Sequence, residues 1–150
     1  MEIKPLHILL ADDDQDDCEL FQAALKEIPI STQLTMIDDG VNLMNLLNQQ
    51  EINLPDVLFL DLYMPRKNGW ECLIEIKGHP DLQSLPVIIL SQTINPMMVD
   101  ALYENGALYY IQKPTGFQRH IKLIEKLLRL PDESKRVQPL KKDFVISGEQ

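Results

Sequence analysis

Short apolar runs recur along this chain at roughly even intervals, and helical patterns fill the gaps between them. The runs at 6–11, 34–37, 56–60, 86–90 and 108–111 are strand-length and rich in Val, Ile, Leu and aromatic residues. Between them, apolar residues return at spacings of three and four, as in Phe21, Ala24, Leu25 and Ile28. The spacing predicts helices over 16–28, from Asp39-Gly40 through Leu47, over 65–77, from Asn95-Pro96 to Asn105-Gly106, and from Thr115 through Leu128. Five strands alternating with five helices through short connections imply an α/β fold with a parallel sheet. The strands are apolar on consecutive positions, which fits a sheet covered by helices on both faces.

Four of the five runs stop at residues that can do chemistry. Leu9-Leu10-Ala11 runs into Asp12-Asp13-Asp14, and Val57-Leu58-Phe59-Leu60 into Asp61. Val87-Ile88-Ile89-Leu90 runs into Ser91, and Tyr110-Ile111-Gln112 into Lys113-Pro114. In parallel α/β sheets, ligands bind outside the carboxyl ends of the strands. Acid pair, acid, hydroxyl and amine are therefore expected on one edge.

Composition narrows the function. The chain has 150 residues, of which 45% are hydrophobic and 25% charged, enough for one domain with a core. Its net charge of -9 argues against direct nucleic-acid binding, which needs Lys and Arg to neutralise phosphates. It is compatible with divalent cations and basic partner surfaces. No apolar run approaches the ~20 residues of a membrane span, and no apolar leader follows Met1, so a cytoplasmic protein is expected. Cys18 and Cys72 have no metal-ligand spacing and read as small apolar residues in a reduced protein. His7, His79 and His120 share no ligand motif.

The acidic string divides by position. Asp12 and Asp13 end a strand and are site candidates, with Asp14 as a helper. Asp16 and Asp17 fall at a helix start, where the macrodipole favours negative charge, and read as capping residues. Carboxylates from Asp12, Asp13 and Asp61 would crowd one another and raise each other's pKa unless offset. Mg²⁺ and the Lys113 ammonium can both offset them. A carboxylate kept ionised beside Mg²⁺ can accept a phosphoryl group.

These residues resemble the receiver domain of two-component response regulators. The resemblance spans 6–130. It rests on Asp12-Asp13, on Asp61 with Met64-Pro65 and Asn68-Gly69, on Ser91, and on Lys113-Pro114. It implies a doubly wound, flavodoxin-like sheet of five strands in the order 2-1-3-4-5. It implies that Asp61 accepts a phosphoryl group from a histidine kinase or a phosphotransfer protein. Asp13, Asp61 and the backbone carbonyl of Tyr63 would ligate Mg²⁺ directly, with Asp12 acting through water. Lys113 would bind the phosphoryl group, while Ser91 and Tyr110 would form the switch. A downstream protein would be met by the face from Asn95 to Leu130, and a homodimer is compatible with the pattern. The protein would signal by binding and not be an enzyme.

Two positions depart from the pattern. Gln92 stands where the family usually has a small residue, and Tyr63 is bulkier than in many receivers. Neither removes a group the reaction needs. A phosphohydrolase with an aspartyl nucleophile would want an acid where Tyr63 stands. A nucleotide or flavin module would want a Gly-rich loop where the acids stand. A receiver-like adaptor that takes no phosphate is the third alternative. The segment 131–150 reads as a tail, either flexible or docking through Phe144-Val145-Ile146 on the domain or on a second chain.

Overall fold

Alternate residues of a strand point to opposite faces of its sheet, and in this chain both sets are apolar. Leu9, Ala11, Leu58, Leu60, Val87, Ile89 and Tyr110 face one core, and Ile8, Leu10, Phe59, Ile88, Leu90 and Ile111 face another. A computed structural model describes residues 4–49 and 53–148. Its strands are β1 (Leu6–Ala11), β2 (Thr32–Ile37), β3 (Val57–Asp61), β4 (Val87–Ser91), β5 (Tyr109–Gln112) and β6 (Val145–Ile146). All pair in parallel, in the order β2-β1-β3-β4-β5-β6.

The helices are α1 (Gln15–Lys26), α2 (Gly40–Leu47), α3 (Gly69–Gly78), α4 (Pro96–Glu104) and α5 (Phe117–Leu128). From β1 the chain steps one way to β2, then back past β1 to β3, β4 and β5. Right-handed crossovers then put α1 on one face and α2, α3 and α4 on the other. α5 joins α1, so Phe21, Ala24 and Leu25 share a core with Ile124, Leu127 and Leu128. Phe21 and Phe59 meet edge to face there, with centroids 5.0 Å apart. No helix among the described residues is long and apolar enough to cross a membrane.

The helix starts differ from expectation in two places. α3 begins at Gly69, not near Pro65, because Asn68 and Glu71 form a capping box. Pro65, Arg66 and Lys67 therefore belong to the loop after β3. Thr115 does not cap α5. Gly116 holds the cap position at φ 85°, a conformation suited to glycine, and Thr115 Oγ1 accepts from Arg119 Nη1 at 3.0 Å.

The sheet also has one strand more than the five expected. β6 comes from the tail and pairs with β5, Val145 beside Tyr110 and Ile146 beside Ile111. A five-stranded sheet would leave the donors and acceptors of β5 open along one edge. Tyr110 N–H instead donates to Phe144 O at 3.1 Å. Phe144 is fully buried in the core of α2, α3 and α4, its ring 5.0 Å from that of Tyr103. Gln138 Nε2 donates to the carbonyls of Tyr103 and Ala107 at 2.7 Å each, and the Tyr103 hydroxyl donates to Pro139 O at 2.7 Å. The segment packs on its own domain.

Phe144→Ala should therefore cost about 3–5 kcal/mol in urea unfolding, the range for emptying a buried aromatic site. Val137→Ala, at an exposed position of the same segment, should cost less than about 0.5 kcal/mol. Equal, small losses from both would mean that the tail is not part of the core.

Candidate functional site

β1 and β3 lie side by side where the strand order reverses, and both end in acid. Asp12 follows β1, and Asp61 closes β3. Ser91 closes β4 and Lys113 follows β5, tied to it by a bond from Lys113 N–H to Ser91 O at 2.8 Å. The rim thus carries two acids, a hydroxyl and an amine on four neighbouring elements. Gly69 keeps the rim compact. A Cβ there would lie 2.4 Å from the Asp61 carbonyl oxygen, so only glycine lets α3 start this close to β3.

Asp12, Asp61 and Ser91 are buried, whereas Asp13 is exposed. One carboxylate oxygen from each of Asp12, Asp13 and Asp61 lies within 4.8 Å of the others. Lys113 is the cation that faces them. Its Nζ donates to Asp12 Oδ2 at 2.9 Å and to Asp17 Oδ2 at 2.8 Å, and stands 3.6 Å from Asp61 Oδ2. Burial alone would lower the lysine's pKa, but the bonds to Asp17 and Asp12 and the charge of Asp61 hold it above the ordinary value. Asp61 is pushed up to about 7. Burial is the main cause, Asp12 adds to it, and Lys113 and the Tyr63 N–H oppose it. A half-compensated group of acids with oxygen donors only fits a hard divalent cation.

Ser91 Oγ is buried and makes no hydrogen bond among the described residues. Such a hydroxyl is costly to leave unpaired and ready for an incoming acceptor. Tyr110 is fully buried and turned inward, its hydroxyl accepting from Asn95 N–H at 3.0 Å. That bond ties β5 to the loop between Ser91 and α4. Tyr63 is 56% exposed at the mouth of the site, and its N–H donates to Asp61 Oδ1 at 3.4 Å.

A family model of the response regulator receiver domain matches residues 8–125. This chain belongs to the response regulator receiver family. The response regulator Rcp1 of Synechocystis is 35% identical over 125 residues, covering 81% of this chain and 85% of its own length. The crystal structure of its Mn(2+)-bound form superposes with a TM-score of 0.75, covering 82% of this chain and 91% of that one. The phosphorylated cyanobacterial phytochrome response regulator RcpA, at 30% identity, also gives 0.75, covering 83% and 91%. The chain is therefore a receiver of the two-component type, and its relative Rcp1 binds Mn²⁺ in that crystal structure.

The structure of this receiver brings Asp12, Asp13, Asp61, Ser91 and Lys113 to one rim, with Tyr110 buried inside β5 and bonded to the loop after Ser91. It corrects two acids. Asp14 is the cap of α1, accepting from Asp17 N–H at 3.1 Å, and was expected only to help at the site. Asp17 was expected to cap, yet its side chain reaches Lys113 and also accepts from Gln92 Nε2 at 3.2 Å. Gln92 thus adds a hydrogen bond where the family pattern has a small residue. No local signal singles out Asp17, though its place permits the contact. It stands one helical turn after the cap, and a side chain there leans back over the strand end. The Cys18 thiol donates to the Asp12 carbonyl and the Cys72 thiol to that of Gly40, and burial pushes them up to about 11 and about 12.

An acid whose pKa is higher folded than unfolded supports the fold only while protonated. Asp61 rises from 3.8 to about 7, so its support is full below the lower value and is lost as pH climbs through the upper one. Without divalent cation, Asp61→Asn should be more stable than wild type above pH 7 by more than ~1 kcal/mol. The gap should close toward about pH 4, and added divalent cation should narrow it at neutral pH. A gap independent of pH in thermal unfolding would remove burial of the charge as its cause.

Proposed function

We propose that this receiver takes a phosphoryl group on Asp61 from a histidine kinase or phosphotransfer protein and signals through a protein-binding face. The observation that carries the reading is the rim itself: a buried carboxylate, a lysine 3.6 Å away, an unpaired hydroxyl and two more acids. Asp61, once ionised, attacks phosphorus in line. A P–O bond forms as the P–N bond to the donor histidine breaks, and the leaving imidazole keeps the electron pair. The product carries up to about two negative charges. Lys113 meets that charge, and the Ser91 hydroxyl donates to a phosphoryl oxygen.

Mg²⁺ fits the acid cluster, and Asp13, Asp61 and the Tyr63 carbonyl would hold it directly. Bound there, it supplies positive charge to the carboxylates and to the phosphoryl oxygens. Asp12 suits an outer position because its oxygens already serve Lys113 at 2.9 Å and Asp14 N–H at 3.0 Å. Ser91 and Tyr110 would carry the change toward residues 95–130. The tail runs over α4 and β5, so it would form part of the face that a downstream protein meets. The protein acts by binding and turns over no substrate beyond its own phosphoryl group. Because RcpA is a phytochrome response regulator, a phytochrome-type histidine kinase is the donor to assay first.

Intact-mass measurement after incubation with Mg²⁺ and acetyl phosphate should show one addition of about 80 Da. It should be absent without Mg²⁺ and absent in Asp61→Asn. An addition that persists in that variant would displace Asp61 as the acceptor. In a Mg²⁺ titration, Asp13→Ala should weaken binding about tenfold or more, and Asp12→Ala less, because a direct ligand loses a metal bond. Equal losses would exchange or merge the two roles.

A further inference from the structure

Lys113 is shared, and the sharing is unequal. An ammonium has three donors. One goes to Asp12 at 2.9 Å and one to Asp17 at 2.8 Å. Asp61, at 3.6 Å, is beyond hydrogen-bond reach. Asp17 sits in the first turn of α1 and is the residue of that helix that bonds Lys113. Its Oδ2 is fixed from a second side by Gln92 Nε2 at 3.2 Å, and Gln92 directly follows Ser91. Asp17, Gln92 and Lys113 thus form a closed link among the start of α1, the end of β4 and the end of β5.

We propose that Asp17 is a positioning residue that holds Lys113 back from Asp61 and yields it when the acceptor is phosphorylated. The inference rests on the receiver reading of Asp61. Asp17 offers one negative charge, and it is partly exposed, so solvent weakens its hold. A phosphoryl group on Asp61 offers up to about two charges, nearer the buried side of the site. The ammonium moves to the larger, drier charge. Asp17 loses Lys113 and keeps Gln92 as its remaining donor, so the first turn of α1 is untied from the end of β5 and the Gln92 amide faces a carboxylate whose ammonium has gone. The phosphorylated state then differs from the resting one on two sides of the rim, at α1 and along residues 95–130. The cost of parting Asp17 from Lys113 sets how strongly the resting state resists activation.

The test uses beryllofluoride, a non-covalent mimic of the phosphoryl group, titrated into the full chain at saturating Mg²⁺. Removing the charge of Asp17 removes the competitor for Lys113, so Asp17→Asn should bind the probe about tenfold more tightly than wild type, the scale of one charged hydrogen bond. Asp16→Asn is the control. Asp16 is exposed in the same helical turn and carries the same charge. It should change affinity less than about twofold. A merely structural role for Asp17 would weaken binding or leave it unchanged. In wild type, the side-chain amide signals of Gln92 should shift on saturation by the probe, and this readout needs no variant. Equal effects of the two Asn variants, or unmoved Gln92 signals beside shifted Ser91 and Tyr110, would overturn the proposal. A wild-type chain that binds no probe would instead overturn the receiver reading of Asp61, and the inference with it.

Discussion

The site depends on how one buried lysine is divided among acids. Asp12 and Asp61 sit in the rim of the sheet with little water around them, and a buried carboxylate is costly unless paired. Lys113 offsets Asp12 by a direct bond but reaches Asp61 only at 3.6 Å. Asp61 is therefore left under-compensated, with a pKa near neutrality. A fully paired Asp61 would be a stable ion pair and a poor nucleophile. An unpaired one would stay protonated. The observed spacing lies between these limits, and a cation delivered at the acid cluster would tip Asp61 into the ionised form that the proposed phosphoryl transfer needs.

That spacing is a product of the topology. The reversal of strand order beside β1 puts the ends of β1 and β3 next to each other with no crossover helix covering them. β4 and β5 extend the same edge, so Ser91 and Lys113 arrive at hydrogen-bonding distance through the sheet ladder itself. Groups fixed on strand ends move little, which suits a site whose chemistry needs in-line geometry. The parts able to move are the connections: the loop with Arg66 at φ 66° and the Gln92–Asn95 stretch before α4. The latter is tied to β5 by the bond from Asn95 N–H to the Tyr110 hydroxyl and to α1 by the bond from Gln92 Nε2 to Asp17.

Much of this was legible in the residues. Unbroken apolar runs marked the buried strands, and the abrupt change to Asp, Ser or Lys marked where each leaves the core. Asn95-Pro96 and Asp39-Gly40 announced helix starts that the structure keeps. Other features are decided by contacts between distant segments, which local patterns do not contain. Asp17 looks like any acid in a first helical turn, and only the approach of Lys113, 96 positions away, makes it part of the rim. Thr115 looked like a cap, but the left-handed Gly116 starts α5 and leaves the Thr115 hydroxyl for Arg119. Phe144-Val145-Ile146 was long enough to be noticed and too short to read as a strand. Its pairing depends on an open edge that exists only once β5 is in place.

That edge bears on what a partner can meet. With β6 in place, β5 presents no open edge to a second chain along Tyr110 and Ile111. The tail also lies over α4, where the Tyr103 hydroxyl is bound to Pro139 O, and Lys141 is paired with Asp100. The face from Asn95 to Leu130 is thus a composite of α4, α5 and tail residues, with Val137 and Leu140 exposed on it. A change at Tyr110 would be felt by β6 through the bond from Tyr110 N–H to Phe144 O. It would be felt by α4 through the bond from Asn95 N–H to the Tyr110 hydroxyl. One residue touches both halves of the face, by its backbone and by its side chain, and the burial of that side chain leaves little room to move unless the β4–α4 loop moves with it. Coupling from rim to surface therefore needs no long chain of contacts. Under the proposed function it would need only that Ser91 be drawn toward Asp61 and that Tyr110 follow the loop that Ser91 begins.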